Sequence, residues 1–190
     1  MEALSVPRMI LIGSSGRNQG KTTLAKALIR RFCGRVPIAA LKITTVTQKH
    51  RCPRGGDGCG VCAGFDGGWL LEEETDKTAQ KDTAQLLSAG AGRVFWLRAE
   101  PAHILTGFTR FLEQIEPDRL IICESNSLRE YARPACFIML TGGGRGKPSA
   151  ARVARLADIT VDGEADLNAV ASRVNTEQTA RGLSVSLSVP

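Results

Sequence analysis

Short apolar runs alternate along this chain with segments whose apolar residues recur at helical spacing. The runs predict strands near 8–13, 36–44, 94–97, 120–123, 137–140 and 159–161. Helical spacing predicts helices near 20–32, 77–88, 101–115, 149–156 and 167–174. This alternation is typical of an α/β fold with an open, mostly parallel sheet and helices packed on it.

Three regions depart from the alternation. Residues 46–68 are irregular and rich in glycine and cysteine, and the apolar residues 69–71 lead into Glu72-Glu73-Glu74, which predicts an edge strand or a hairpin. Residues 182–190 either fray or add an edge strand. With 190 residues, the chain is long enough to bury a core of its own. We therefore expect a single domain, 1–190, with a cysteine-rich insertion at about 46–68.

The first predicted strand leads into a glycine-rich turn and then a helix. The turn, Gly13 to Thr23, ends in Gly-Lys-Thr, the core of a phosphate-binding loop, although Ser15 occupies the place of its usual first glycine. Backbone N–H groups at the start of the helix would face the phosphates, Lys21 would reach the β- and γ-phosphates, and Thr22 would ligate Mg²⁺. The predicted phosphate-binding residues are Gly16, Arg17, Asn18, Gln19, Gly20, Lys21, Thr22 and Thr23.

A second acidic element follows the apolar run 120–123, which closes on Glu124. A carboxylate at such a strand end can hold Mg²⁺, directly or through water, or orient an attacking water. Ser125 and Asn126 could add hydrogen bonds to Mg²⁺ waters or phosphate. Asp82, near the start of a helix, would either contact Mg²⁺ waters or favour the helix dipole. Because ligands bind at the carboxyl ends of strands in such sheets, we expect these residues to share one crevice with catalytic Lys21.

The Gly-Lys-Thr-Thr loop, a second strand ending at Lys42 and a strand closing on Glu124 resemble the SIMIBI class of P-loop NTPases. Within that class, the segment 81–91 begins Lys-Asp-Thr and ends Ala-Gly-Ala, and it is similar to the molybdopterin-guanine dinucleotide biosynthesis protein B (MobB) family. The resemblance covers about 9–126 and implies a three-layer P-loop NTPase fold. It also implies a cytoplasmic homodimer that binds GTP with Mg²⁺ and assists late molybdenum-cofactor synthesis.

The insertion carries three of the six cysteines within eleven residues. Cys52, Cys59 and Cys62, with His50 as a fourth ligand, predict a tetrahedral Zn²⁺ site. An iron–sulfur cluster would also suit thiolate ligands, and a redox disulfide or unligated thiols are further alternatives. The other cysteines, Cys33, Cys123 and Cys136, are expected to be inert core thiols.

The composition and charge of the chain limit the classes of partner that we expect it to bind. The net charge of +6, from 25 basic and 19 acidic residues, suits an anionic ligand. Nucleic acid is not expected, because no run of Lys and Arg forms a basic arm and aromatic residues make up only 5% of the chain. No run of 18 apolar residues predicts a membrane span, and the N-terminus lacks a signal-peptide layout. We therefore expect a cytoplasmic protein with reduced thiols.

Four functions fit these features. The leading one is nucleotide binding with slow GTP hydrolysis, in a MobB-like role with a protein partner in cofactor biosynthesis. A metallochaperone GTPase would use the cysteine-rich loop to carry metal, whereas a nucleotide-dependent adaptor would hold structural zinc there. A small-molecule kinase or ligase is the fourth. No Asn-Lys-x-Asp motif is present, so GTP and ATP both remain open, and residues 142–148 could border the base.

Overall fold

The computed structural model describes residues 3–47, 65–142, 146–162, 165–180 and 182–188. A seven-stranded sheet is its central feature. The strands are β1 (Leu4–Ser14), β2 (Ile38–Thr45), β3 (Trp69–Glu73), β4 (Arg93–Ala99), β5 (Leu120–Glu124), β6 (Ala132–Thr141) and β7 (Ile159–Asp162). Their order is β3-β4-β2-β5-β1-β6-β7, and neighbouring strands are parallel except for β3, which runs antiparallel to β4 at one edge.

Helices cover both faces of this sheet. They are α1 (Lys21–Phe32), α2 (Asp82–Ser88), α3 (Ile104–Glu113), α4 (Pro148–Val153) and α5 (Leu167–Ser172). Alternate strand residues point to opposite faces, so Ile10 and Ile12 pack with α1, α2 and α5, whereas Met9 and Leu11 pack with α3 and α4. The predicted α/β class, with a mostly parallel sheet between helices, is confirmed.

The central strands are apolar because both of their faces are covered. Every residue of β5 is buried, and residues 9–12 of β1 have no exposed surface. Continuous apolar runs of this kind are expected for parallel strands enclosed between helices. The strand register then aligns Glu124 of β5 with Ile12 of β1 on one side and with Lys42 of β2 on the other. The carboxyl ends of these three strands therefore meet at one edge.

Helix α2 is shorter than predicted. The expected helix 77–88 begins only at Asp82, and residues 77–81 are bends. The Asp76 carboxylate accepts hydrogen bonds from the backbone N–H of Thr78 at 2.8 Å and from its hydroxyl at 2.6 Å. Local bonds of this type offer the backbone an alternative to the helix, so the periodicity of residues 77–81 was a misleading signal.

The C-terminal region also differs from the prediction. The last helix ends at Ser172, and Val174 begins a strand, β8 (Val174–Thr179), that pairs antiparallel with β9 (Gly182–Leu187). The sequence allowed a strand at β9 but gave no indication of β8, whose residues 175–179 are polar. Val174, Leu183 and Val185 are buried against the α1 side of the sheet, so this hairpin closes the core there.

Strands β3, β1 and β6 lie where the sequence predicted strands. The predicted edge strand is confirmed as β3, and its Glu72 and Glu73 form ion pairs with Arg98 and Arg93. Strands β1 and β6 begin earlier than predicted because Leu4 to Val6 pair with residues 132–134. Among the described residues, no helix combines the length and apolar character needed to span a membrane.

Candidate functional site

A cleft of about 1200 Å³ lies at the carboxyl ends of the strands. The three segments that were predicted to meet do line it: the turn with the start of α1, the end of β2, and the residues that follow β5. Of the predicted site residues, those lining the cleft are Arg17, Asn18, Gln19, Gly20, Lys21, Thr22, Thr23, Asp82 and Glu124. His50, Cys52, Cys59 and Cys62 lie outside the described residues.

The glycine-rich turn delivers the N-terminus of α1 to this cleft. Asn18 and Gly20 adopt left-handed backbone conformations, with φ of 53° and 81°, and the helix begins at once with Lys21. The first α-helical hydrogen bond runs from the N–H of Leu24 to the carbonyl of Gly20 at 2.8 Å, so the helix provides no acceptor for the preceding N–H groups. The first turn contains no acidic residue of its own, and the positive end of the helix dipole faces the cleft.

Side chains of the turn bond within the turn itself. The Lys21 ammonium donates to the Ser14 hydroxyl at 2.7 Å, and that hydroxyl donates to the Gly16 carbonyl at 2.7 Å. The Gln19 side-chain oxygen accepts from the N–H of Gly16 at 2.7 Å and from the hydroxyl of Ser15 at 2.8 Å. Gly16 can therefore offer its N–H to a ligand only if Gln19 releases it.

Glu124 is the most unusual group in the cleft. Although it lines the cleft, only 3% of the residue is exposed. The hydroxyl of Thr22 donates to its Oε2 at 3.2 Å, while its Oε1 is buried without a hydrogen-bond partner in the described part of the chain. Leaving a buried polar atom unpaired is costly. A cation or a hydrogen-bond donor would satisfy Oε1.

Lys42 and Asp82 form an ion pair. Lys42 belongs to β2, which borders β5 and its Glu124 on the side opposite to β1. The Lys42 side chain is 16% exposed and that of Asp82 is 44% exposed, and both residues line the cleft. Asp82 is also the first residue of α2, a position that fits both predicted roles, contact with Mg²⁺ waters and interaction with the helix dipole. Lys42 was predicted only as the end of the second strand in a family resemblance, but β2 continues to Thr45. A charged residue within an otherwise apolar stretch of a central strand was the signal that could have marked it as a site residue.

The residues after β5 mostly hold the backbone in place. The Asn126 amide bonds both backbone groups of Ser14, and the Ser125 hydroxyl accepts the N–H of Leu128 at 3.1 Å. The sequence had suggested that Ser125 and Asn126 bind Mg²⁺ waters or phosphate. Both line the cleft, but these polar groups already have partners in the protein.

The cleft continues beyond the predicted site, towards the face that carries α3 and α4. Further lining residues there include Pro101, Ile104, Glu130, Tyr131, Lys147 and Arg152. The Tyr131 hydroxyl donates to the carbonyl of Pro101 at 3.1 Å, and Arg152 donates to Glu130 at 2.9 Å. The backbone N–H of Lys147 donates to the carbonyl of Ser15 at 2.8 Å, so the segment after β6 is joined to the glycine-rich turn. The sequence had suggested only that residues 142–148 could border the base, and Lys147 and Pro148 do line the cleft; it gave no sign of the rest of this half.

The described cysteines are separate from the cleft. Cys123 and Cys136 are buried, and burial raises the pKa of both thiols, that of Cys136 to about 12. These two are core thiols, as expected, but the same expectation was wrong for Cys33, which is exposed at the end of α1. Within the described ranges, no three His, Cys, Asp or Glu side chains are grouped as metal ligands.

Comparisons of the chain with protein-family models, with curated proteins and with solved structures found no match. The case for a function therefore rests on the cleft and its chemistry. That chemistry is a helix N-terminus, a lysine and a buried carboxylate with one unpaired oxygen.

Proposed function

We propose that the protein binds a nucleoside triphosphate, GTP or ATP, together with Mg²⁺ in this cleft. The observation that carries the proposal is the buried carboxylate of Glu124. Its Oε2 accepts a hydrogen bond from the Thr22 hydroxyl, and its Oε1 has no hydrogen-bond partner among the described residues. Hard oxygen donors of this kind, a hydroxyl and a carboxylate, are the ligands that Mg²⁺ takes in nucleotide sites. Thr22 and Glu124 would hold the ion, which would neutralise phosphate charge when bound.

The adjoining groups suit a polyphosphate. The N-terminus of α1 offers backbone N–H groups and the positive end of the helix dipole, and both favour anions. Lys21 is bonded to Ser14 within the same turn. A phosphate oxygen is a stronger acceptor for an ammonium than a neutral hydroxyl is, so Lys21 would exchange Ser14 for the ligand.

The activity that follows is slow hydrolysis, in which the phosphoryl group passes to water. Positioning and charge stabilisation contribute most of the catalysis in such reactions, and Glu124 lies where a carboxylate could orient water. The resemblance of residues 9–126 to the MobB family supports a role in molybdenum-cofactor biosynthesis with a protein partner. That resemblance also favours GTP and a homodimer.

Calorimetric titration with GTP and with ATP, in Mg²⁺ and in EDTA, tests the proposal. We expect binding that is tightened by Mg²⁺, and we expect Glu124→Gln to abolish that tightening because the amide is a poor ligand for the ion. Lys21→Met should weaken binding in both conditions by at least roughly tenfold, since charge-assisted hydrogen bonds contribute about 1.5–3 kcal/mol. Lys26→Met is the matched control, because Lys26 bonds Gln85 outside the cleft. Absence of binding at millimolar nucleotide would refute the proposal.

A small-molecule kinase or ligase is a second candidate, and the extent of the cleft favours it. At about 1200 Å³, the cleft exceeds the roughly 300–1000 Å³ of common ligand pockets. Its additional half, with Ile104, Tyr131 and Arg152, offers room for a second substrate beside the nucleotide. Incubation of γ-labelled nucleotide with a small-molecule cell extract separates the two activities. Label in an organic product supports a kinase. Label in inorganic phosphate supports hydrolysis where its release does not depend on the extract, and a ligase where it does.

A further inference from the structure

We infer that Lys42 discriminates nucleoside triphosphates from diphosphates by exchanging its ion pair with Asp82 for the third phosphate. The inference rests on the proposed function and assigns a selectivity to the same cleft. Lys21 would contact any polyphosphate held by the turn, whereas Lys42 would contact only one long enough to pass Glu124.

The strand order places Lys42 for this task. Strand β5 lies between β1 and β2, and Glu124 is aligned with both Ile12 and Lys42. The turn that follows β1 and Lys42, which lies three residues before the end of β2, are therefore on opposite sides of the buried carboxylate. A ligand tail anchored on the turn that reaches across Glu124 meets the Lys42 side chain, which already lines the cleft.

The charges favour the exchange. The terminal phosphate of a triphosphate adds negative charge and oxygen atoms beside the Glu124 carboxylate. A nearby cation, such as the Lys42 ammonium, offsets this accumulated negative charge. Phosphate oxygens are strong acceptors for an ammonium. Asp82 is 44% exposed, so water can solvate its carboxylate once Lys42 has left. A diphosphate provides no such acceptor and leaves the Lys42–Asp82 pair intact.

The exchange would leave helix α2 in place. The Thr83 hydroxyl donates to Glu74 of the segment after β3 at 2.7 Å, and Leu86 and Leu87 of the helix are buried in the core. These contacts hold α2 independently of Asp82. Substitutions at Lys42 or Asp82 should therefore change ligand selectivity without unfolding the helix.

The test compares dissociation constants for GTP and GDP, and for ATP and ADP, measured by calorimetry in Mg²⁺. Lys42→Met removes the ammonium and keeps an unbranched stem of the same length. We expect it to weaken triphosphate binding by roughly tenfold or more, as for the loss of a charge-assisted bond, and diphosphate binding by less than about threefold. Asp82→Asn removes a competing carboxylate, so it should tighten triphosphate binding more than diphosphate binding and raise the preference for triphosphate.

Lys26→Met again serves as the control, because its ammonium bonds outside the cleft, and it should leave all four constants unchanged. Equal losses for tri- and diphosphate in Lys42→Met would overturn the inference, as would a lower preference for triphosphate in Asp82→Asn. If the wild type binds triphosphate in a Glu124-dependent way and Lys42→Met keeps the wild-type preference, only this inference fails. If the wild type binds no nucleotide, the proposed function fails with it.

Discussion

Asn126 and Ser14 exchange two hydrogen bonds. The backbone N–H of Ser14 donates to Oδ1 of Asn126 at 2.8 Å, and Nδ2 of Asn126 donates to the carbonyl of Ser14 at 2.9 Å. The last backbone bond between the adjoining strands runs from the N–H of Ser125 to the carbonyl of Ile12 at 3.0 Å. The Asn126 side chain thus continues the ladder between β1 and β5 beyond the point where the backbone of β5 turns away.

Asn126→Ala should destabilise the fold and weaken ligand binding together. It leaves two backbone groups of Ser14, a residue with no exposed surface, without their partner, at a cost of about 1–3 kcal/mol in the free energy of unfolding. Ser14 also holds the Lys21 ammonium, so a looser turn should bind polyphosphate less well. Urea unfolding checks the first effect. Asn168→Ala, at an exposed position of α5, is the control, and an equal effect in both variants would contradict the argument.

Gly13→Ala should be more harmful than Gly146→Ala. A Cβ at position 13 would lie 2.8 Å from Oδ1 of Asn126 and 2.9 Å from Cε2 of Phe137, whereas at position 146 its nearest neighbour is the carbonyl of Ser15 at 4.0 Å. Overpacking of this kind costs about 1–3 kcal/mol, while an unhindered surface substitution changes stability by less than about 0.5 kcal/mol. Thermal unfolding of the two variants provides the comparison. Similar melting temperatures would show that the turn relaxes around the methyl group.

The sequence predicted the position of Glu124 because a fully apolar run identifies a buried parallel strand, and ligands gather where such strands end. The same reasoning predicted that the turn, the end of β2 and Glu124 would meet. Neither inference needs the strand order. The position of a polar residue directly after an apolar run was sufficient.

The Lys42–Asp82 pair could not be predicted in this way. The two residues are 40 positions apart, and their contact depends on where α2 begins and on which strands are neighbours. The local bonds of Asp76 displaced that helix start from the one suggested by periodicity. Gln19 was likewise expected at the phosphates. In the structure its side-chain oxygen accepts a hydrogen bond from the N–H of Gly16. Competition between nearby hydrogen-bond partners is decided by geometry that spacing does not encode.

Alkylation should distinguish Cys33 from the two buried thiols. The thiolate is the reactive form, and burial raises the pKa of Cys123 and that of Cys136, the latter to about 12. A raised pKa means less thiolate at a given pH, so both should stay unmodified by iodoacetamide from pH 7 to pH 9, while exposed Cys33 reacts. Peptide mass spectrometry identifies the labelled sites, and labelling in urea is the positive control. Labelling of Cys136 at the rate of Cys33 under native conditions would show that the core opens.

The cysteine-rich insertion yields a prediction that metal analysis can decide. Cys52, Cys59 and Cys62 with His50 match the ligand types of a tetrahedral zinc site, and iron–sulfur clusters also use thiolates. Protein purified without chelator should therefore contain Zn²⁺, or iron with sulfide, and the double substitution Cys59→Ser with Cys62→Ser should remove it. Cys33→Ser is the matched control, since Cys33 is exposed at the end of α1, and it should keep the full metal content. Elemental analysis gives the stoichiometry, and absorbance distinguishes a colourless zinc site from a coloured cluster. If the double variant keeps the wild-type stoichiometry, the metal is held elsewhere; if the wild type contains none, the redox-disulfide and free-thiol alternatives remain.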